Sequence, residues 1–122
     1  MENSTKILYV DDEPVNLMLF ELNFKGIYHV VTATSGMEGL QKLKENPDIS
    51  IVISDMRMPG MNGIEFIRKA KLDYPHIVFF ILTGYDITEE IANALNEKLI
   101  NKYFSKPFNI KEIVKTVEEV LS

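Results

Sequence analysis

Residues 49–55 read Ile-Ser-Ile-Val-Ile-Ser-Asp, a run rich in β-branched side chains that stops at a carboxylate. A near-continuous apolar run of this kind suits a strand covered on both faces, as in a parallel sheet. Four comparable runs occur at Ile7–Val10, His29–Ala33, Ile77–Leu82 and Tyr103–Phe104, with the strand in the opening stretch expected over Ile49–Ile53. Helical periodicity fills the intervals. It is clearest at Ile110, Ile113, Val114, Val117 and Leu121, where Asn109 and Glu112 suit an N-terminal cap. Ser35 and Glu38 predict a capping box, Pro14 a helix start, Gly26 a helix stop, Asn62 a third helix and Asp86 or Thr88 a fourth.

Five strands alternating with five helices predict an α/β domain, with helices on both faces of a parallel sheet. Right-handed crossovers and the chain length favour a flavodoxin-like doubly wound (βα)5 three-layer sandwich with strand order 2-1-3-4-5. Ligands in such sheets bind beyond the carboxyl ends of the strands, where the order reverses. That point falls between the first and third strands.

The 122 residues suit one compact domain over 1–122, and 46% hydrophobic content is enough for one core. Eighteen acidic against thirteen basic residues, net charge −5, argue against direct nucleic-acid binding. The absence of cysteine excludes disulfides and thiolate metal sites. No apolar leader or bilayer-length run is present, so a cytoplasmic location and no membrane partner are expected.

Polar residues stand at the ends of the strand-like runs: Asp11 and Asp12, Asp55, Thr83 and Lys106. Each has an ordinary explanation alone. Either aspartate could cap the helix at Pro14, Thr83 could terminate a turn, and Lys106 could be a solvated loop cation. Glu13 reads as a solvated first-turn acid. The topology, however, brings the three aspartates together, and carboxylates crowded in this way stay ionised most readily around a shared cation. Oxygen-only ligation favours Mg²⁺, with Mn²⁺ possible. Asp55 is then a candidate nucleophile for a phosphoryl group, with Thr83 and Lys106 beside it.

From LYVDDE through SDMRMPGMNG and LTG to FSKPF, the chain resembles the response-regulator receiver domains of two-component signalling, in the CheY-like superfamily. The resemblance spans essentially the whole chain. It implies that Asp55 accepts the phosphoryl group, Asp12 binds Mg²⁺ directly, Asp11 acts mainly through water, and the backbone carbonyl of Arg57 is a further metal ligand. Thr83 and Lys106 would contact phosphoryl oxygens, Tyr103 would be a mobile aromatic, and the Lys106–Pro107 bond would be cis. A regulatory phosphoacceptor rather than an enzyme is implied, capable of intrinsic autophosphorylation from small donors and of autodephosphorylation. The implied phosphodonor is a sensor histidine kinase or a histidine phosphotransfer protein. The implied output is an effector domain or protein, or a homodimer, using the surface of the fourth helix, fifth strand and fifth helix. The segments LTGY and INKYFSKPF also resemble receivers that precede transcription-activating or cyclic-dinucleotide-hydrolysing domains.

Arg57 and Tyr85 occupy positions that in this family govern water access to the acyl phosphate, and their bulk predicts a long-lived phosphorylated form. Pro59, Gly60 and Gly63 are expected to shape the loop after Asp55. A haloacid-dehalogenase-like phosphatase would want a carboxylate two residues past its nucleophile, where Arg57 stands. A flavodoxin-like electron carrier would want a phosphate loop in place of DDEP. A phosphorylation-independent binding module with the same fold is the remaining alternative.

Overall fold

The computed structural model of the chain describes residues 5–84 and 87–122. Strands β1 (Lys6–Val10), β2 (His29–Ala33), β3 (Ile51–Asp55), β4 (Val78–Thr83) and β5 (Lys102–Ser105) alternate with helices α1 (Pro14–Phe24), α2 (Gly36–Glu45), α3 (Gly63–Asp73), α4 (Glu89–Asn96) and α5 (Ile110–Leu121). The strands form one parallel sheet in the order β2-β1-β3-β4-β5, as expected.

Side chains that alternate along each strand build a separate core on each side of the sheet. Ile7, Tyr9, Ile51, Ile53, Phe80 and Leu82 pack with Phe20 and Phe24 of α1 and Ile113 and Val117 of α5. Their neighbours Leu8, Val10, Val52, Phe79 and Ile81 pack with Leu43 of α2, Phe66 and Ile67 of α3 and Ile91 of α4. Both faces of β3 are covered, and all five of its residues are buried. Close approach of α2 to α3 depends on Gly39, where an added Cβ would lie 2.8 Å from the Phe66 ring. No helix among the described residues is long and apolar enough to cross a membrane.

The helix starts follow local chemistry. Asn62 and Glu65 form a complete capping box, whereas Ser35 accepts from the Glu38 N–H while Glu38 accepts from the Thr34 N–H instead of from Ser35. The box expected at Ser35 is therefore half-formed, its return arm displaced by one residue. Thr88 caps α4 through the Ile91 N–H and Asn109 caps α5 through the Glu112 N–H. Asp86, the other candidate start for α4, lies outside the described residues. Glu13, exposed, occupies the cap position of α1 without a side-chain bond.

Only β2 matches the sequence expectation at both ends; β1, β3, β4 and β5 differ by one or two residues at one end or both. β3 begins at Ile51 rather than Ile49, because Ile49 is still in the turn leaving α2, its N–H donating to the Asn46 carbonyl. Asp55 and Thr83 are the last residues of their strands rather than the first beyond them.

Candidate functional site

The reversal of strand order places the carboxyl ends of β1 and β3 side by side, with Tyr9 opposite Ile53 and Val10 opposite Ser54. Asp11 continues the alternation of Ile7 and Tyr9, and Asp55 that of Ile51 and Ile53, so both carboxylates emerge on the α1/α5 side. Asp11, Asp12 and Asp55 each offer a carboxylate oxygen, and these three atoms lie within 4.8 Å of one another. Asp11 and Asp55 are buried and Asp12 is half-buried. An all-carboxylate set of this size and burial fits a hard divalent cation that retains several waters, as Mg²⁺ does.

Lys106 reaches the cluster from β5. Its backbone N–H donates to the Thr83 carbonyl at 2.8 Å, extending the β4–β5 ladder one step beyond the strand. Its ammonium then lies 3.1 Å from Asp11 Oδ2 and 3.4 Å from Asp55 Oδ1. The Lys106–Pro107 peptide bond is cis, as the resemblance implied. Burial pulls the Lys106 pKa down, but Asp55 and Asp11 together outweigh it and leave the ammonium more firmly protonated than an ordinary lysine. Asp55 is shifted upward, chiefly by burial and further by Asp11, with Lys106 opposing both. Asp55 is thus a carboxylate whose charge is only partly compensated.

The loop after Asp55 is held against α3. The Gly63 N–H donates to the Met56 carbonyl at 2.9 Å, and a Cβ on Gly63 would collide with the Asp55 carbonyl oxygen. Gly60 takes a left-handed backbone, φ +76°, which fits its expected place in a tight turn. Arg57, two residues past Asp55, has an exposed side chain. Tyr85, its expected companion in shielding, lies outside the described residues.

Thr83 is buried at the end of β4, and Tyr103 is half-buried on β5. Register pairs Ile81 with Tyr103 and Thr83 with Ser105, so Thr83 and Tyr103 are diagonal neighbours on the face covered by α2, α3 and α4. Of the side chains proposed from sequence for the pocket, Asp11, Asp12, Asp55 and Lys106 are brought together. Thr83 and Tyr103 flank it on the opposite face of the sheet.

One participant escaped the sequence reading. The Tyr9 hydroxyl donates to Asp11 Oδ2 at 2.7 Å, and both residues are buried. Burial, followed by the bond to Asp11 and the charges of Asp11 and Asp55, pushes the phenol strongly upward and keeps it a donor. The signal lay in period two: in a strand, a tyrosine two residues before an aspartate shares its face.

Comparison with known proteins agrees with this geometry. The family model of the response regulator receiver domain matches residues 7–118. Sporulation initiation phosphotransferase F of Bacillus subtilis is 35% identical over 118 residues, covering 95% of this chain and 93% of that protein. The hydrogenase transcriptional regulatory protein HoxA of Cupriavidus necator is 29% identical over 120 residues, but the chain, covered to 98%, spans only 25% of its length. Among solved structures, the signal receiver domain of an HD domain-containing protein from Pseudomonas fluorescens superimposes with a TM-score of 0.87 at 28% identity, covering 98% of this chain and 95% of that one. The strand order, the acidic cluster at its reversal and these matches lead to one conclusion: the chain belongs to the response regulator receiver domain family.

Proposed function

We propose that this chain is a phosphoacceptor switch in which Asp55 receives a phosphoryl group from a phosphohistidine. The observation that carries the reading is the position of Asp55, a buried and incompletely neutralised carboxylate beside two further aspartates and one lysine. A carboxylate oxygen of Asp55 attacks phosphorus, an O–P bond forms, the donor's N–P bond breaks, and the imidazole takes up a proton. Asp12, Asp55 and the Arg57 carbonyl would hold Mg²⁺ directly, with Asp11 acting through water. When bound, the cation supplies positive charge to the phosphoryl oxygens. Lys106, already 3.4 Å from Asp55, supplies the second positive charge from the protein.

Transfer replaces a single carboxylate charge by a phosphoryl group with strong acceptor oxygens. Thr83 is drawn toward it by a charge-assisted hydrogen bond, and Tyr103, its diagonal neighbour, turns inward into the space released. The face made by α4, β5 and α5 then passes the change to an effector or to a second copy. Both conformations exist beforehand, and the phosphoryl group shifts their populations. Arg57 and Tyr85 slow hydrolysis by restricting water.

The donor is a sensor histidine kinase or a histidine phosphotransfer protein, a reading supported by kinship with the phosphotransferase of B. subtilis. The decisive experiment treats the protein with a small phosphodonor and Mg²⁺ and measures intact mass. Wild type should gain one phosphoryl group and Asp55→Asn none. An unlabelled wild type, or a labelled variant, defeats the proposal and favours a phosphorylation-independent binding module.

A further inference from the structure

Asp11 is fully buried, and its carboxylate accepts three hydrogen bonds from protein donors. Oδ1 accepts from the Glu13 N–H at 3.0 Å, and Oδ2 accepts from the Tyr9 hydroxyl at 2.7 Å and from Lys106 Nζ at 3.1 Å. These are the donors to it among the described residues. Two of the three are fixed: one belongs to the backbone, and the Tyr9 ring is stacked on Phe20 at 4.1 Å, nearly parallel to it and only 1% exposed. Lys106 is the movable one. Its side chain remains about a quarter exposed and is already divided between Asp11 and Asp55.

A buried carboxylate oxygen that loses its sole donor is costly, so an Asp11 without Tyr9 would retain Lys106 for itself. With the hydroxyl in place, Oδ2 keeps a strong partner when the ammonium leaves. We propose that Tyr9 is a positioning residue of the phosphoacceptor site: its hydroxyl satisfies Asp11 and thereby releases Lys106 to serve the group arriving on Asp55. This rests on the phosphoacceptor reading of Asp55. The cleft of about 420 Å³ beside Tyr9 and Lys106 is lined by Asn16, Leu19, Leu82 and Phe108; of these four only Asn16 carries a side-chain donor, and none of the hydrogen bonds to Asp11 among the described residues comes from it.

Tyr9→Phe keeps the ring that packs on Phe20 and removes only the hydroxyl. Phosphorylation of Asp55 by a small phosphodonor at saturating Mg²⁺ should fall about tenfold, the size of one hydrogen bond to a charged group. Titration calorimetry should find the Mg²⁺ dissociation constant changed by less than about threefold, because the lost donor acts through Lys106. A residue that serves packing alone would leave the rate unchanged in the phenylalanine variant. An unchanged rate, or a defect abolished by more Mg²⁺, overturns the inference. Failure of wild type to be labelled at all would instead defeat the phosphoacceptor reading.

A second measurement needs no variant. In protein labelled with ¹³C at the tyrosine Cζ, the Tyr9 resonance should keep its carboxylate-bonded position when Mg²⁺ and beryllofluoride, a phosphoryl mimic, are added, while the Lys106 ¹⁵Nζ resonance shifts. A Tyr9 resonance that moves to the position of an unbonded phenol, or a stationary Lys106, overturns the inference.

Discussion

Asp55 carries a cost that the fold must offset. Its pKa is raised in the folded state, so between the unfolded and folded values the native protein binds more protons, and stability falls as pH rises through that window. At neutral pH the full cost is present. Asp55→Asn should therefore have a higher melting temperature than wild type at pH 7 without divalent cations, the difference shrinking as the buffer is acidified toward the carboxylate range. Mg²⁺ should reverse the comparison: at a hundredfold excess over its dissociation constant a specific ligand stabilises by about 2.7 kcal/mol, and the asparagine variant should gain less. Calorimetric scans with and without Mg²⁺ at two pH values test both signs. The cluster of Asp11, Asp12, Asp55 and Lys106 was legible in the sequence because polar residues closing apolar runs stand out. Tyr9 was not, because a tyrosine within a strand reads as core until its hydroxyl is placed.

At the scale of elements, α3 abuts Asp55 through its first residue. Gly63 lies against the Asp55 backbone where no side chain fits, so Gly63→Ala should cost roughly 1–3 kcal/mol through forced displacement. Urea denaturation measures that cost, and the same displacement should slow phosphorylation of Asp55. Strand existence was legible from β-branched runs, yet β3 started two residues late. The apolar Ile49 extends the pattern, while its hydrogen bond to Asn46 keeps it in the preceding turn. The caps show a similar limit: Ser35 and Asn62 both precede a glutamate by three residues, and only the course of the incoming chain determines where that carboxylate points. α1 presents Val15, Met18, Leu19 and Leu22 to solvent, an apolar stripe beginning one residue past the helix start nearest Asp12. Such a stripe suits docking by a phosphodonor protein. Met18→Glu should slow labelling by a cognate phosphohistidine protein several-fold and leave labelling by a small donor unchanged; parallel time courses with the two donors distinguish the effects.

Taken whole, the molecule is a parallel sheet with unequal neighbours on its second face. The topology was legible because alternation, chain length and crossover handedness leave few arrangements. The distribution of exposed apolar surface was not, since α1 is apolar on nearly every side and only packing selects which side is covered. On the face of α2, α3 and α4, α2 meets α3 through Gly39 and Phe66, a steric fit indifferent to solvent composition. α3 meets α4 partly through surface charge: Arg68 grips Glu97 at 2.8 and 3.1 Å, and Asn62 reaches Glu90 at 3.3 Å. Salt screens the second kind of contact and leaves the first intact. The close fit at Gly39 therefore makes half of this face an electrolyte-independent reference frame against which α4 can loosen. Hydrogen exchange from low to high salt should quicken modestly in α4 and remain constant in α2.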